Sequence, residues 1–288
     1  MAVSDYIQLM KLRIASLLLL VAAAGYISTS GVGIDPVAFG LLMITGLLAA
    51  GGSSAINQYL DRDLDSAMRR TRGRPLPQHR IEPPSRALLF GGGLLGIALL
   101  VSFVGINPLT TAMIALGAFF YLGIYTIGLK RHHASNIVIG GFAGSCPALA
   151  GSAAAAGAIS VPAALLALLV FLWTPGHFWA LAYSNREDYR RAGIPMLPAV
   201  YRERTTVWAI AVSTVLVPAA TFAFVLTPSF QVAFLLVAVA VGAVLLALTA
   251  RFVRHPSARA AWAGYRFSGT YLAVILFAAI VDALVFAR

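Results

Sequence analysis

Three oxygen-bearing side chains recur at every fourth position early in the chain: Asn57, Asp61 and Asp65. On an α-helix, residues with this spacing lie along one face and rise by about 6 Å per step. Carboxylate and amide oxygens are ligands of a hard cation such as Mg²⁺, which usually completes its shell with water and phosphate oxygens. The spacing therefore predicts a Mg²⁺ site on these three residues, whereas Asp63 points to roughly the opposite face and is not expected to be a ligand.

A basic loop follows this motif and contains Arg72 and Arg74 within the segment Arg-Gly-Arg-Pro-Leu-Pro. Guanidinium groups bind phosphate oxygens through paired hydrogen bonds of matching geometry. Mg²⁺ and arginines that converge on one place would bind a diphosphate. The alternative is an ordinary charged helix end, in which the two aspartates of the motif pair with Arg62 and Arg69.

A second acidic segment lies further along the chain and contains Asn185, Glu187 and Asp188, followed by Arg190 and Arg191. The segment offers a second cluster of carboxylates. The two arginines are candidate ligands of an anionic substrate. A solvated charged loop is the alternative interpretation of this segment.

The composition places these charged segments in a membrane protein. Of the 288 residues, 60% are hydrophobic and only 11% are charged, and the mean hydropathy is +0.86. A soluble domain carries roughly 25% charged residues, so this chain has too little polar surface for a soluble or disordered protein. The single cysteine, Cys146, rules out an intrachain disulfide. The net charge of +11 is expected from basic cytoplasmic loops, and we predict no nucleic-acid partner.

Nine apolar stretches are long enough to cross the hydrocarbon core as helices. They cover residues 14–30, 36–56, 87–106, 108–127, 136–156, 161–182, 206–226, 230–250 and 267–286. With these spans, every lysine and arginine except Arg288 falls on one side, so the positive-inside rule places the N-terminus in the cytoplasm and the C-terminus outside. We predict a single all-α polytopic membrane domain over residues 1–288, with a cytoplasm-facing active-site cavity formed by the loops at about 57–85 and 183–205.

Two further patterns lie inside the predicted spans. The run from Gly91 to Gly96, Gly-Gly-Gly-Leu-Leu-Gly, matches a dinucleotide-binding fingerprint, but no strand precedes it, so close helix packing is predicted instead. His177 stands in the segment Trp-Thr-Pro-Gly-His-Phe-Trp. An imidazole in a membrane helix can pack against neighbouring helices, relay protons or bind a metal, and the sequence leaves these three roles open.

The motifs and the nine-span pattern resemble the UbiA superfamily of intramembrane prenyltransferases, and within it the branch that farnesylates protohaem IX. The first acidic motif is typical of the whole superfamily. The stretches 136–144, 173–183 and 187–198 resemble the haem-specific branch. The chain departs from the superfamily pattern in its second acidic motif, because Ala192 stands four residues after Asp188 where a second carboxylate is often found. The second metal site that the resemblance implies would therefore fall on Asn185, Glu187 and Asp188.

The resemblance implies a UbiA-type helical bundle that transfers farnesyl from farnesyl diphosphate to a vinyl group of haem b. Water is added in the reaction, and the products are haem o and diphosphate. Mg²⁺ would be the cofactor, and haem b a substrate rather than a cofactor. The catalytic residues would be Asn57, Asp61, Asp65, Lys130, Arg131 and Asp188. Substrate binding would involve Arg72, Arg74, Tyr125, His177, Arg190 and Arg191, with His177 contacting haem through the iron or a propionate.

The resemblance also implies a setting in the cell. We expect a multi-pass protein of a bacterial plasma membrane, because no N-terminal transit segment is visible in the sequence. The lipid bilayer is then its surroundings, and haem A synthase is a candidate partner. Two alternatives share some of these residues: a prenyltransferase for another acceptor, such as a quinone precursor, and a non-enzymatic anion transporter.

Overall fold

The computed structural model describes residues 2–227, 230 and 232–286. Within this part of the chain, nine helices are long and apolar enough to cross a membrane. They are α1 (Leu12–Ser30), α2 (Pro36–Leu60), α3 (Ser85–Gly105), α4 (Pro108–Leu129), α5 (Asn136–Ala156), α6 (Val161–Ser184), α7 (Glu203–Phe222), α8 (Ala233–Arg254) and α9 (Ala258–Val285). The predicted number and order of spans are confirmed. Arg288, the one basic residue assigned to the opposite side, lies outside the described residues.

The long basic loops join the helices on one side of the bundle, which we call the basic face. Several helices extend beyond the predicted spans on this side. Helix α2 continues to Leu60, and α9 begins at Ala258 rather than near residue 267. Hydropathy marks the part of a helix that is apolar, whereas backbone hydrogen bonds continue through polar residues beyond it. These extensions matter because they carry the charged residues of the candidate site.

Small residues allow the helices of the first half to approach closely. A Cβ atom added to Gly52 on α2 would lie 2.6 Å from the carbonyl oxygen of Gly91 on α3, and one added to Gly91 would lie 2.7 Å from that of Gly52. Close contact between backbones through small residues is typical of membrane helices. Packing therefore explains Gly91, whereas a Cβ atom at Gly92, Gly93 or Gly96 would meet nothing within 4 Å in the described structure.

Short helices cover the basic face: Val3–Leu9, Arg62–Ala67, Arg186–Arg191 and Leu197–Val200. The N-terminal one is held against the end of α2, because Gln58 Nε2 donates a hydrogen bond of 2.8 Å to the Leu9 carbonyl oxygen. An ion pair of 2.5 Å joins Arg80 to Asp5 and fixes the loop after α2 to the same short helix. The N-terminus and the first acidic loop therefore form one unit at the end of α2.

The last part of α4 is a π-helix over Phe120–Leu129. Its wider turn is visible in the bond from the Lys130 amide to the Tyr125 carbonyl oxygen, at 2.8 Å and five residues apart. π-Helical segments are rare in proteins, and those that are present frequently lie at functional sites. The segment contains Thr126 and ends directly before Lys130, and both of these side chains reach the first acidic motif on α2.

The fold predicts that the two acidic loops share one side of the membrane. Single cysteines at Ser66 and Ser184, introduced with Cys146→Ser, should both react with a membrane-impermeant thiol reagent applied from the same side. A cysteine at Val32, which follows α1 at the other end of the bundle, should react only from the opposite side. Reaction of the Ser66 and Ser184 positions from different sides would contradict the arrangement.

Candidate active site

The first acidic motif keeps its helical register where α2 ends. The Asp61 amide donates to the Asn57 carbonyl oxygen at 2.9 Å, and the Asp65 amide donates to the Asp61 carbonyl oxygen at 2.8 Å. The short helix Arg62–Ala67 thus continues the four-residue hydrogen-bond pattern of α2. All three side chains are buried, and Asp61 is fully inaccessible to solvent. The common face predicted from the spacing is therefore present.

Cations from the end of α4 and from the loop after α2 contact the two buried carboxylates. Lys130, at the end of the π-helix, donates to Asp61 Oδ2, and Asn57 Nδ2 donates to the same oxygen at 2.7 Å. Arg74 binds both oxygens of Asp65, at 2.8 and 2.6 Å. The aspartates therefore do not use the nearby arginines that the simpler helix-end interpretation assigned to them.

Lys11 is a site residue that the sequence did not single out. Its Nζ donates to Asn57 Oδ1 at 3.2 Å. Lys11 has a left-handed backbone, with φ 47° and ψ 55°, directly before α1 begins. Non-glycine residues rarely adopt this conformation, and such strain concentrates at functional sites. Burial, and next the nearby charge of Arg74, lower the pKa of the Lys11 amine to about 7. The sequence feature that could have identified Lys11 as a site residue is its position directly before the first span.

The first motif has donors suited to Mg²⁺. Asp61 Oδ1 is buried without a hydrogen-bond partner among the described residues, which leaves one carboxylate oxygen for a ligand. Across the residues that the structure describes, no three or more His, Cys, Asp or Glu side chains gather into a metal-binding group. Two carboxylates and an amide therefore do not form a complete protein cage. Mg²⁺ typically binds through one or two carboxylates, water and substrate phosphates, and the residues present match this coordination.

Lys130 and Arg131 are adjacent in the sequence but point to different places. Lys130 is buried against Asp61, whereas Arg131 forms two hydrogen bonds of 2.7 Å with Asp63 in a more exposed position. Arg131 also donates to the Leu60 carbonyl oxygen at 2.9 Å. The hydrogen bonds from Arg131 lower the pKa of Asp63 to about 2. The structure therefore brings Lys130 to the buried face of the acidic motif. Arg131 instead lies against the exposed side of the short helix Arg62–Ala67.

The second acidic segment contributes one carboxylate toward the first. Asp188 is buried and accepts a hydrogen bond of 3.2 Å from Arg69 Nε, which links the two loops. Glu187 is exposed and pairs with Arg190 at 2.9 Å. Asn185 donates from its amide to the Leu181 carbonyl oxygen at 2.8 Å and so closes the end of α6. The three predicted ligands thus point in different directions, and Asp188 is the one that meets the first loop.

The other arginines that the sequence analysis assigned to substrate binding lie in different surroundings. Arg190 also donates to the Ala199 carbonyl oxygen, at 3.1 Å. Arg72 and Arg191 are exposed at the basic face. The carbonyl oxygen of Arg72 accepts a hydrogen bond of 2.8 Å from Gln78 Nε2, which stabilises the turn that presents Arg74. Of these arginines, Arg74 is the one that contacts the acidic motif.

A cavity of about 640 Å³ opens between the two acidic loops at the basic face. Its walls include Arg69 and Arg70 from the first loop, Tyr183 and Asp188 from the second, and Pro256 from the α8–α9 connection. Arg70 contacts the hydroxyl of Tyr189 at 3.5 Å. The predicted pairing of the two loops therefore produces a real opening, with both charged and apolar walls.

Aromatic side chains and unsatisfied polar groups lie in the apolar cluster that contains Tyr183 and Tyr189, and at the start of α5. Tyr125 stacks on Tyr121 with ring centroids 6.2 Å apart, and Lys130 Nζ lies 5.8 Å from the Tyr125 ring centroid. Trp179 packs in the same apolar cluster as Tyr125, and its indole nitrogen is buried without a partner in the described structure. The amide of Asn136, at the start of α5, is likewise buried and unpaired there. Such groups are uncommon in folded proteins, and a bound ligand would satisfy them.

His177 lies inside α6 and is held on several sides. It stacks on Trp173 and packs against Tyr265, with ring centroids 4.1 and 4.4 Å apart. Its Nδ1 forms a hydrogen bond of 2.6 Å with the hydroxyl of Ser268 on α9. The cavity that borders Ser268 measures about 20 Å³, which is room for about one water molecule. These contacts pack α6 against α9 at His177.

This chain is similar to known proteins in sequence and in fold. The model of the UbiA prenyltransferase family matches residues 18–279. A protein from Sulfurisphaera tokodaii named protoheme IX farnesyltransferase is 42% identical, over 98% of this chain and 93% of its own length. One of the same name from Symbiobacterium thermophilum is 41% identical, over 97% of this chain and 94% of its own length.

Solved structures share the fold at lower identity. A structure of digeranylgeranylglyceryl phosphate synthase has a TM-score of 0.80 and 21% identity, and covers 98% of both chains. A UbiA homologue from Archaeoglobus fulgidus bound to GPP and Mg²⁺ has a TM-score of 0.66 and 15% identity, over 96% of this chain and 99% of its own. By family model, by relatives over nearly the full length and by fold, the chain belongs to the UbiA prenyltransferase family.

Proposed function

We propose that this protein is a protohaem IX farnesyltransferase, which transfers farnesyl from farnesyl diphosphate to a vinyl group of haem b and yields haem o and diphosphate. The observation that carries the proposal is the buried face of Asn57, Asp61 and Asp65, contacted by cations from three parts of the chain. The names of the relatives supply the farnesyl donor and the haem acceptor. Membership of a prenyltransferase family argues against the anion transporter.

The acidic motif and its cations would bind the diphosphate end of the donor. Asn57, Asp61 and Asp65 would hold Mg²⁺, with Asp188 at the edge of the second loop. When bound, Mg²⁺ supplies positive charge that stabilises the diphosphate as a leaving group. Lys130 and Arg74 already lie at hydrogen-bond distance from the two carboxylates. They are therefore placed to donate to phosphate oxygens as negative charge accumulates there.

The apolar interior would protect the carbon skeleton after the bond to the diphosphate breaks. The farnesyl group becomes an allylic cation, which the π-face of an aromatic ring such as Tyr125 or Trp179 stabilises. Attack by the vinyl group moves the positive charge onto the acceptor, where water adds as a hydroxyl and releases a proton. Buried walls in the cluster around Tyr125 keep other water away from the cation until then.

The proposal includes an orientation in the cell. The basic face would lie in the cytoplasm of a bacterial plasma membrane, because lysine and arginine are enriched in cytoplasmic loops. The N-terminus would then be cytoplasmic and the C-terminus outside. Haem A synthase, which would receive the product, remains a proposed partner.

A direct assay tests the function. Purified protein in lipid nanodiscs, given farnesyl diphosphate, reduced haem b and MgCl₂, should produce haem o, identified by mass, together with one diphosphate per product. Farnesyl diphosphate with an aromatic quinone precursor in place of haem should give no prenylated product. Prenylation of the quinone precursor without any formation of haem o would contradict the proposal. The protein would then be a UbiA prenyltransferase for another class of acceptor.

Substitution of the acidic motif should separate ligand from non-ligand carboxylates. Asp61→Ala and Asp65→Ala should each lower turnover by about 100-fold or more, since metal-assisted stabilisation of a leaving group contributes several kcal/mol. Asp63→Ala is the matched control, because this carboxylate pairs with Arg131 in an exposed position. It should retain most of the activity. Near-normal turnover in Asp61→Ala, at normal protein yield, would remove the Mg²⁺ assignment.

Substitution of His177 should distinguish a haem contact from a packing role. If His177 contacts the acceptor, His177→Ala should weaken haem b binding, followed by absorbance, and leave binding of a farnesyl diphosphate analogue unchanged. If it only packs α6 against α9, the variant should lose thermal stability and affect both substrates alike. Normal haem affinity in a folded His177→Ala protein would end the haem-contact hypothesis without affecting the farnesyltransferase proposal.

A further inference from the structure

The first residue of α5, Asn136, has a buried side-chain amide that the fold itself does not use. The residue is fully inaccessible to solvent. Neither Oδ1 nor Nδ2 has a hydrogen-bond partner among the described residues. An asparagine at the start of a helix commonly bonds to free backbone amides there, but this one does not. Because buried polar groups are nearly always paired, an amide that is unpaired at both atoms indicates a small polar ligand.

The packing of α5 places this amide beside the π-helix, toward the diphosphate site. Gly140 lies four residues after Asn136 and therefore on the same helical face. A Cβ atom added to Gly140 would lie 2.7 Å from Cδ2 of Tyr125, so this face is turned toward the π-helix. Since α5 starts at the basic face, Asn136 is one turn nearer than Gly140 to the end of the π-helix, where Lys130 contacts Asp61.

The surroundings of the amide are otherwise apolar. Ile137, the next residue, packs in a buried cluster with Trp179 and Tyr183. The indole nitrogen of Trp179 is also buried and unpaired within the described part of the chain. An indole can only donate a hydrogen bond, whereas an asparagine also provides an acceptor oxygen. Oδ1 of Asn136 is therefore the group in these surroundings that can accept an O–H bond from a water molecule.

The proposed reaction needs one water molecule at one place. The terminal carbon of the vinyl group bonds to C1 of farnesyl as the bond from C1 to the diphosphate oxygen breaks, which leaves a cation on the inner vinyl carbon. Water bonds to that carbon and its proton passes to the released diphosphate. Without water the cation instead loses a proton from the neighbouring carbon and becomes an alkene. Because C1 is attached to the diphosphate, the water must lie near the diphosphate end of the site.

We infer that Asn136 holds this water molecule, with Oδ1 accepting one of its O–H bonds. The inference rests on the proposed function and names one further residue for the hydration step. A water molecule held through its hydrogen keeps an oxygen lone pair available for the cation. A group that only donates, such as the indole of Trp179, would occupy that lone pair instead.

The test measures how the enzyme divides one cation between two products. Full-length protein in nanodiscs receives farnesyl diphosphate, reduced haem b and MgCl₂, and mass spectrometry separates haem o from the alkene, which is lighter by one water. The wild type should form mainly haem o. Asn136→Leu should lower the ratio of haem o to alkene by about 10-fold or more, as expected for loss of a hydrogen bond to the reacting water. Asn136→Asp keeps an acceptor oxygen and should restore most of the ratio.

Asn107→Leu is the matched control. The amide of Asn107 begins α4 at the other end of the bundle and donates to the Ala153 carbonyl oxygen at 2.8 Å. Its loss should lower thermal stability and leave the product ratio unchanged, which separates a structural effect from one on hydration.

An unchanged ratio in Asn136→Leu would overturn the inference and leave Asn136 a packing residue. Asn136→Ala, which adds no bulk, is judged by the same ratio if the leucine variant does not fold. Weaker binding of haem b or of a farnesyl diphosphate analogue, with the ratio unchanged, would also overturn it and make Asn136 a ligand of that substrate. Failure of the proposed function is distinguishable, because the wild type would then form neither haem o nor the alkene.

Discussion

Two carboxylates buried at the edge of a membrane are the constraint on which the arrangement of this protein depends. Asp61 is fully buried and Asp65 nearly so. A buried charge is strongly unfavourable unless an opposite charge and hydrogen bonds accompany it. Lys130 from the end of α4 and Arg74 from the loop after α2 supply that compensation. Because these cations are far apart in sequence, the loops must fold onto α2 before the carboxylates are stable, and the same cations are then in place for an anionic substrate.

Backbone irregularities place those cations. The π-helix at the end of α4 brings both Thr126 and Lys130 toward α2, with Thr126 Oγ1 accepting from Asn57 Nδ2 at 3.1 Å. The left-handed backbone at Lys11 directs a third cation to the same asparagine. Strained or uncommon backbone is tolerated where the surrounding contacts determine it, and here those contacts belong to the site. The straight part of the bundle, by contrast, is held by close helix contacts such as that of Gly52 with Gly91.

The second acidic loop shows why an incomplete motif can still complete a site. Only Asp188 is turned toward the first loop, where Arg69 meets it, and Glu187 is turned to solvent with Arg190. The ion pair of Arg69 with Asp188 and the contact of Arg70 with the Tyr189 hydroxyl join the loops, and the space left between them is the cavity. A second carboxylate four residues later would stand at Ala192. In this chain Glu187, Asp188 and Glu203 line the opening together with Arg69, Arg70 and Arg186.

The sequence by itself determined the nine spans, the shared side of the loops and the helical face of Asn57, Asp61 and Asp65. Hydropathy, charge segregation and four-residue spacing are local properties that survive in any arrangement of the helices. Only the tertiary structure decided that Lys130 reaches Asp61 while its neighbour Arg131 turns to Asp63, that Lys11 joins the site, and that Arg69 rather than a nearby arginine meets Asp188. These pairings depend on which helix ends lie side by side and on a π-helical turn, and neither is encoded in the spacing of one segment.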